Sequence, residues 1–99
     1  MRQYEVMTIH RPEINEADIR SRVEEIEALL TARGATVGDT DFWGKRRFTY
    51  EINHINEGYY SVVNFEVGDD LAPLEDLDRA LSLSDAIIRH KIVRTDETK

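Results

Sequence analysis

The sequence predicts an α+β protein of the ferredoxin-like type, a βαββαβ sandwich with a four-stranded antiparallel sheet and two helices on one face. Three observations lead there. Extended, alternating stretches and stretches of helical spacing follow one another in the order β-α-β-β-α-β. Each helical stretch is apolar along one stripe only, and two such stripes cannot bury each other and still cover four strands. Right-handed crossovers lay both helices on one side of the sheet and leave the other side open. The length of 99 residues suits one core and is too small for two. Residues 1–95 are therefore expected to form one domain, with 96–99 as a short frayed tail.

The first strand, residues 4–10, sets Tyr4, Val6 and Thr8 on one side and Glu5, Met7 and Ile9 on the other. Apolar residues on both sides suggest an interior strand, and Arg11-Pro12 ends it because proline gives no ladder donor. Asn15 is the expected cap of the first helix, with Asp18 three residues on, where a carboxylate favours the exposed amides. Ile19, Val23, Ile26 and Leu30 then form the stripe, and Gly34 can take the left-handed turn that closes the helix. Residues 36–52 read as a long second strand whose glycines, 38 and 44, mark bulges or bends.

Residues 53–58, rich in Asn and Gly, read as a turn. Residues 59–67 alternate with apolar groups on both faces, as a central strand does. The second helix is expected to start at Asp69-Asp70, to tolerate Pro73 in its first turn, and to bury Leu71, Leu74, Leu77 and Leu81. Residues 82–85 break it, and residues 87–95 form the last strand.

Composition narrows the function classes. The chain is 40% apolar and 33% charged, a globular balance rather than a disordered one. No apolar run approaches the roughly 20 residues of a membrane span. The first residues show no signal-peptide pattern. With no cysteine there is no disulfide and no thiolate metal site, and a reducing cytoplasm is the natural home. His10, His54 and His90 stand at no metal-ligand spacing. Neither a glycine-rich phosphate loop nor a nucleophile elbow occurs, and the paired carboxylates Glu24-Glu25 and Asp69-Asp70 fall on solvated helix surfaces or at a cap. No catalytic residue, cofactor, metal, membrane contact or small-molecule substrate is expected.

Charge is unevenly placed. The net charge is −7, with 20 Asp and Glu against 13 Lys and Arg. Yet Trp43-Gly44-Lys45-Arg46-Arg47-Phe48 places three consecutive cations among aromatics on the second strand. The last strand adds Arg89, Lys91 and Arg94, while the acids concentrate on the helices. Charge runs are usually plain solvated surface. A basic block within an acidic chain is harder to dismiss, because the whole molecule repels polyanions and only the strands can present themselves to one. Aromatics between the cations suit a nucleic-acid surface.

At this point the sequence resembles a known family. Arg2-x-Tyr4-Glu5-Val6, then Trp43-Gly44-Lys45-Arg46-Arg47-Phe48-Thr49-Tyr50 with Ile52, then Gly58-Tyr59-Tyr60, then Asp85-x-Ile87-Ile88-Arg89 leading into Ile92-Val93-Arg94-Thr95 are similar in order and spacing to bacterial small-subunit ribosomal protein S6. The resemblance spans nearly the whole chain. It implies the ferredoxin-like fold and a structural role in the ribosome, binding the central domain of 16S ribosomal RNA together with ribosomal protein S18 as a heterodimer. It also implies that the RNA contacts lie among Arg2, Lys45, Arg46, Arg47, Arg89 and Arg94, to which the charge pattern adds Lys91. The chain departs from the family at Glu51, where many members have proline, at His90-Lys91, and in stopping at Lys99 without a long charged tail.

Trp43, Tyr60 and Val62 are the candidate partner surface, an apolar patch on the open sheet face of hot-spot composition. The competing reading is that Trp43 packs as satellite core over a sheet edge. Two other functions use this topology. Acyl-phosphate hydrolases need a loop arginine beside a water-orienting asparagine, and Asn53 and Asn56 have no such arginine with them. Metabolite-binding regulatory dimers would be stabilised by ligand. Neither accounts for a basic strand in an acidic chain.

Overall fold

The computed structural model of the protein describes residues 2–52 and 55–95. Along the chain run β1 (Arg2–His10), α1 (Glu16–Ala32), β2 (Thr36–Ile52), β3 (Ile55–Val67), α2 (Ala72–Ser82) and β4 (Ile87–Arg94). β1 pairs antiparallel with β3 on one side and β4 on the other, and β2 pairs antiparallel with β3. The sheet order is β2-β3-β1-β4, with β2 and β4 at the edges. This is the ferredoxin-like arrangement the sequence predicts.

Alternation along the inner strands explains the core. Val6 of β1 and Val63, Phe65 and Val67 of β3 meet Val23, Ile26 and Leu30 of α1 and Leu77 and Leu81 of α2. Tyr4 stacks on Phe65 with ring centroids 5.9 Å apart at the margin of that cluster. α1 begins as predicted: the Asp18 amide donates to Asn15 Oδ1 at 2.9 Å, and Asn15 Nδ2 donates back to the Asp18 carboxylate at 3.1 Å. The Asp18 amide of the first turn is thus not left bare. Gly34 closes the helix at φ +94°.

Three expectations are corrected. β3 begins at Ile55, where residues 53–58 read as a turn. Arg47 pairs with Glu57 and Arg46 with Gly58, so the ladder with β2 runs through the Asn-Glu-Gly segment and cross-strand hydrogen bonding overrides its turn propensity. Asn53 and His54 lie outside the described residues, as does the tail 96–99. α2 starts at Ala72 rather than at Asp69-Asp70; Asp70 instead accepts the Ala72 amide at 3.0 Å from outside the helix. Leu71, expected in the core, occupies the cap and is exposed, and Pro73 is buried in the first turn.

Gly58 is required by close packing. A Cβ there would lie 2.7 Å from the His10 carbonyl oxygen and 2.9 Å from Ile9 Cγ2. Beside it sits a buried polar group that the sequence does not reveal. His10 is fully buried, its Nε2 2.9 Å from Thr8 Oγ1, which is in turn 2.6 Å from Ser61 Oγ. Among the described residues His10 Nδ1 has no hydrogen-bond partner. Burial, reinforced by the Arg22 guanidinium, lowers the His10 pKa to about 4.

Candidate nucleic-acid and partner interface

The β2–β3 ribbon decides where each candidate side chain stands. β2 slips register between Phe42 and Gly44, and Gly44 sits at φ +85°, the left-handed conformation of a glycine bulge. The extra residue leaves Phe42 on the helix side of the sheet and Trp43 on the open side. Alternation then resumes, with Lys45 and Arg47 on the helix side and Arg46 and Phe48 on the open side. The ring contacts agree. Trp43 stacks on Tyr60 at 5.8 Å and 7° between planes, and Phe48 meets the same Tyr60 edge-on at 5.9 Å. On the other side Phe42 stacks on Tyr59 at 6.1 Å, and Lys45 Nζ lies 5.3 Å from the centre of the Tyr59 ring.

Across the open face the register forms a row: Gly44 opposite Tyr60, Tyr60 opposite Ile9, Ile9 opposite Arg89. Trp43 and Arg46 border this row at the β2 edge, where they and Tyr60 line a shallow depression of about 450 Å³. Met7, Ile9, Tyr60, Arg89, His90 and Lys91 line a second depression of about 550 Å³ toward β4. Three strand spacings, about 14 Å, separate the two edges. No carboxylate belongs to that row. Asp41 enters the next one, with Val62, Met7 and Lys91, and Glu5 and Glu66 lie beyond. The open face is therefore graded, basic and aromatic at one end and acidic at the other.

Ion pairing separates the cations into two groups. Arg11, Arg20, Arg33 and Arg79 all pair with carboxylates, and all lie on helices or in a turn. Among the described residues Lys45, Arg46, Arg47, Arg89, Lys91 and Arg2 on the strands, and Arg22 on α1, make no ion pair, although acids outnumber bases. An acidic protein that leaves its strand cations unpaired keeps their charge available to an outside anion.

The predicted RNA residues do not form one cluster. Arg46, Arg89 and Lys91 share the open face, whereas Lys45 and Arg47 stand on the opposite side of the same ribbon. Arg2 and Arg94 lie at the far end of the sheet, Arg2 donating to the Gly68 carbonyl at 3.5 Å and Arg94 in register with Tyr4. Of the partner residues, Trp43 is 45% exposed and is not core. Tyr60 is half-buried beneath it, and Val62, 6% exposed, offers almost no surface of its own. His90 bridges to α2, its Nε2 2.8 Å from Asp78 Oδ1. Sequence reasoning passed over Phe42, Tyr59, Phe48 and Arg20, which stands 4.2 Å over the Phe42 ring. The available signal was the two adjacent aromatic pairs, Phe42-Trp43 and Tyr59-Tyr60, on strands that pair.

A small acidic sandwich whose strands carry cations without ion pairs among the described residues, and whose open face is aromatic, has the make-up of a structural binding protein. Comparison with known proteins makes the class particular. The family model described as Ribosomal protein S6 matches residues 3–94, and the chain belongs to that family. It is 42% identical over 97 residues to the small ribosomal subunit protein bS6 of Carboxydothermus hydrogenoformans, covering 98% of this chain and 99% of that one. The corresponding protein of Symbiobacterium thermophilum is 43% identical over 97 residues, covering 98% and 100%. The crystal structure of 30S ribosomal protein S6 from Thermotoga maritima superposes with a TM-score of 0.82 at 32% identity, covering 95% of this chain and 87% of that chain. The solution structure of the C-terminal domain of the MgtC protein from Mycobacterium tuberculosis shares the fold alone, at a TM-score of 0.63 and 17% identity, covering 100% and 93%. The protein is thus a structural component of the bacterial small ribosomal subunit and not an enzyme. This sets aside the hydrolase and metabolite-binding readings.

Proposed function

We propose that this chain binds the central domain of 16S ribosomal RNA jointly with ribosomal protein S18, through its strands and not its helices. The observation that carries the reading is the set of unpaired strand cations, Arg2, Lys45, Arg46, Arg47, Arg89 and Lys91, in a chain of net charge −7. Phosphates are the obvious anions for them, and Arg94 joins them as a further cation of β4. Exposed Trp43 on Tyr60, at the β2 edge, supplies an aromatic anchor for the protein partner, with Val62 as floor. Aromatic anchors of this kind carry most of an interface's energy.

The test is co-purification with small subunits through moderate salt. The wild-type chain should stay bound. The triple variant Lys45→Ala, Arg46→Ala, Arg47→Ala should fold normally, because exposed charges each contribute under about 1 kcal/mol, yet wash off at lower salt. A triple variant retained as firmly as wild type would refute the RNA reading.

A further inference from the structure

The geometry points to a second RNA contact on the helix side of the β2–β3 ribbon, made by Lys45 and Arg47 with Arg20 and the Phe42–Tyr59 stack, to an RNA segment distinct from the one that meets Arg46 on the open side. It deepens the RNA reading above and rests on it.

The ribbon is built to be met from both sides. β1 ends where His10 pairs with Tyr59, so residues 55–58 of β3 pair only with β2, and this end of the ribbon projects past the four-stranded sheet. Arg46 and Arg47 lie on this projecting part, and Phe42, Lys45, Tyr59 and Tyr60 stand at its root, where β1 still pairs with β3. The Gly44 bulge gives each side the same equipment. The open side has the Trp43–Tyr60 stack and Arg46. The helix side has the Phe42–Tyr59 stack, with Arg20 4.2 Å over one ring and Lys45 5.3 Å from the other. Aromatic faces and guanidinium planes are what unpaired bases stack on, and the cations hold the phosphates.

The carboxylates on this side are few. Glu16 pairs with Arg20 at 3.1 Å, both side chains more than half exposed, and Glu57 lies opposite Arg47. Such an exposed pair is weak enough for a phosphate to compete with it. Lys45 and Arg47 have no ion-pair partner among the described residues. Glu27 also reaches this side, but it is engaged in accepting from Thr40 Oγ1 at 2.5 Å. With two of the three cations outside any ion pair among the described residues, an anion is favoured over a basic protein segment on this side.

Two measurements on the chain assembled with S18 and a central-domain RNA fragment test this. Salt dependence of binding is compared for Arg46→Ala, for Lys45→Ala with Arg47→Ala, and for all three. Each lost phosphate contact should flatten the log–log slope by about 1, so the helix-side pair should flatten it by about 2 and the triple by about 3, additively. In parallel, a photoreactive phenylalanine analogue replaces Tyr59 or, separately, Tyr60, neighbours on opposite sides of the ribbon. Tyr59 should crosslink to RNA, and Tyr60, which lies under the Trp43 anchor, to S18. A Tyr59 that is silent or bound only to protein, with an unchanged slope for the helix-side pair, would remove the second contact and leave the first. RNA crosslinks from both positions to one segment would overturn the two-sided ribbon. Silence at Tyr59 with unchanged slopes for every variant would sink the strand reading of RNA binding itself.

Discussion

At the residue scale the most consequential side chain is His10, which contacts no outside group. It is fully buried against Thr8, with Nδ1 unpartnered, and its folded pKa is lowered to about 4 from 6.5. Above pH 6.5 the ring is neutral in both folded and unfolded chains and pH has no leverage. Below it the unfolded chain takes up the proton and the folded one does not, so stability falls as pH drops toward the folded pKa. Between pH 6.5 and 5 this loss should be about 2 kcal/mol, before most carboxylates titrate. Urea midpoints at the two pH values measure it. His10→Leu should be less stable near neutral pH, because Thr8 loses its ring partner, and should show a much flatter pH response over that interval. An equal fall in the variant would mean the carboxylates, not His10, carry the acid sensitivity. A lone histidine on a strand gives no sign of this in sequence. The burial comes from long-range pairing that brings Gly58 and Ser61 against β1.

At the element scale, the Gly44 bulge in β2 controls function because it holds Trp43 and Gly44 on the open side together and so sets Lys45 and Arg47 on the helix side and Arg46 on the open side. Trp43→Ala and Tyr60→Ala separate anchor from core. A cross-strand stack is worth about 0.5–1.5 kcal/mol beyond its burial. Since Trp43 is 45% exposed, its removal should lower stability by about 1 kcal/mol while costing about 2 kcal/mol of S18 affinity. Tyr60, half-buried and touched by both Trp43 and Phe48, should lose more stability on truncation. Melting and partner titration on the same samples read both quantities. A large melting shift with unchanged affinity of the folded Trp43→Ala protein would remove the partner surface. Elements were legible where local chemistry and global packing agree: the Asn15 cap and the Ile19, Val23, Ile26, Leu30 stripe fix α1, and Gly38 and Gly44 mark the bends of β2. They were illegible where tertiary pairing overrides propensity. Residues 55–58 join a ladder despite their turn chemistry, and Leu71 leaves the apolar stripe because Pro73 settles where α2 begins.

At the scale of the whole molecule, charge segregation governs how the protein meets RNA. α1 and α2 carry Glu16, Asp18, Glu24, Glu25, Glu27, Glu75, Asp76 and Asp78, whereas Arg2, Lys45, Arg46, Arg47, Arg89 and Lys91 lie on the strands. A net charge of −7 repels RNA at long range, while a handful of cations attract it at contact. The segregation was readable from sequence because element order alone assigns charges to helices or strands. That Lys45 and Arg47 share one side and Arg46 the other follows from alternation; which side each takes was not readable, since it depends on one bulge residue. Two opposing terms of this kind predict weak binding by the isolated chain and a shallow salt dependence. With about three to five phosphates neutralised, the slope of log affinity against log salt should lie near −2 to −4, far from that of a basic ribosomal protein contacting more phosphates. Adding S18 should raise affinity strongly without steepening this chain's own share of the slope, which the Lys45, Arg46 and Arg47 variants isolate by difference. Titrating a central-domain RNA fragment with the chain alone and with S18, at several salt concentrations, measures both terms. Nanomolar binding of the isolated chain at about 150 mM salt, physiological ionic strength, would show that contact attraction overwhelms the net charge and that the partner is not needed to bring this protein onto RNA.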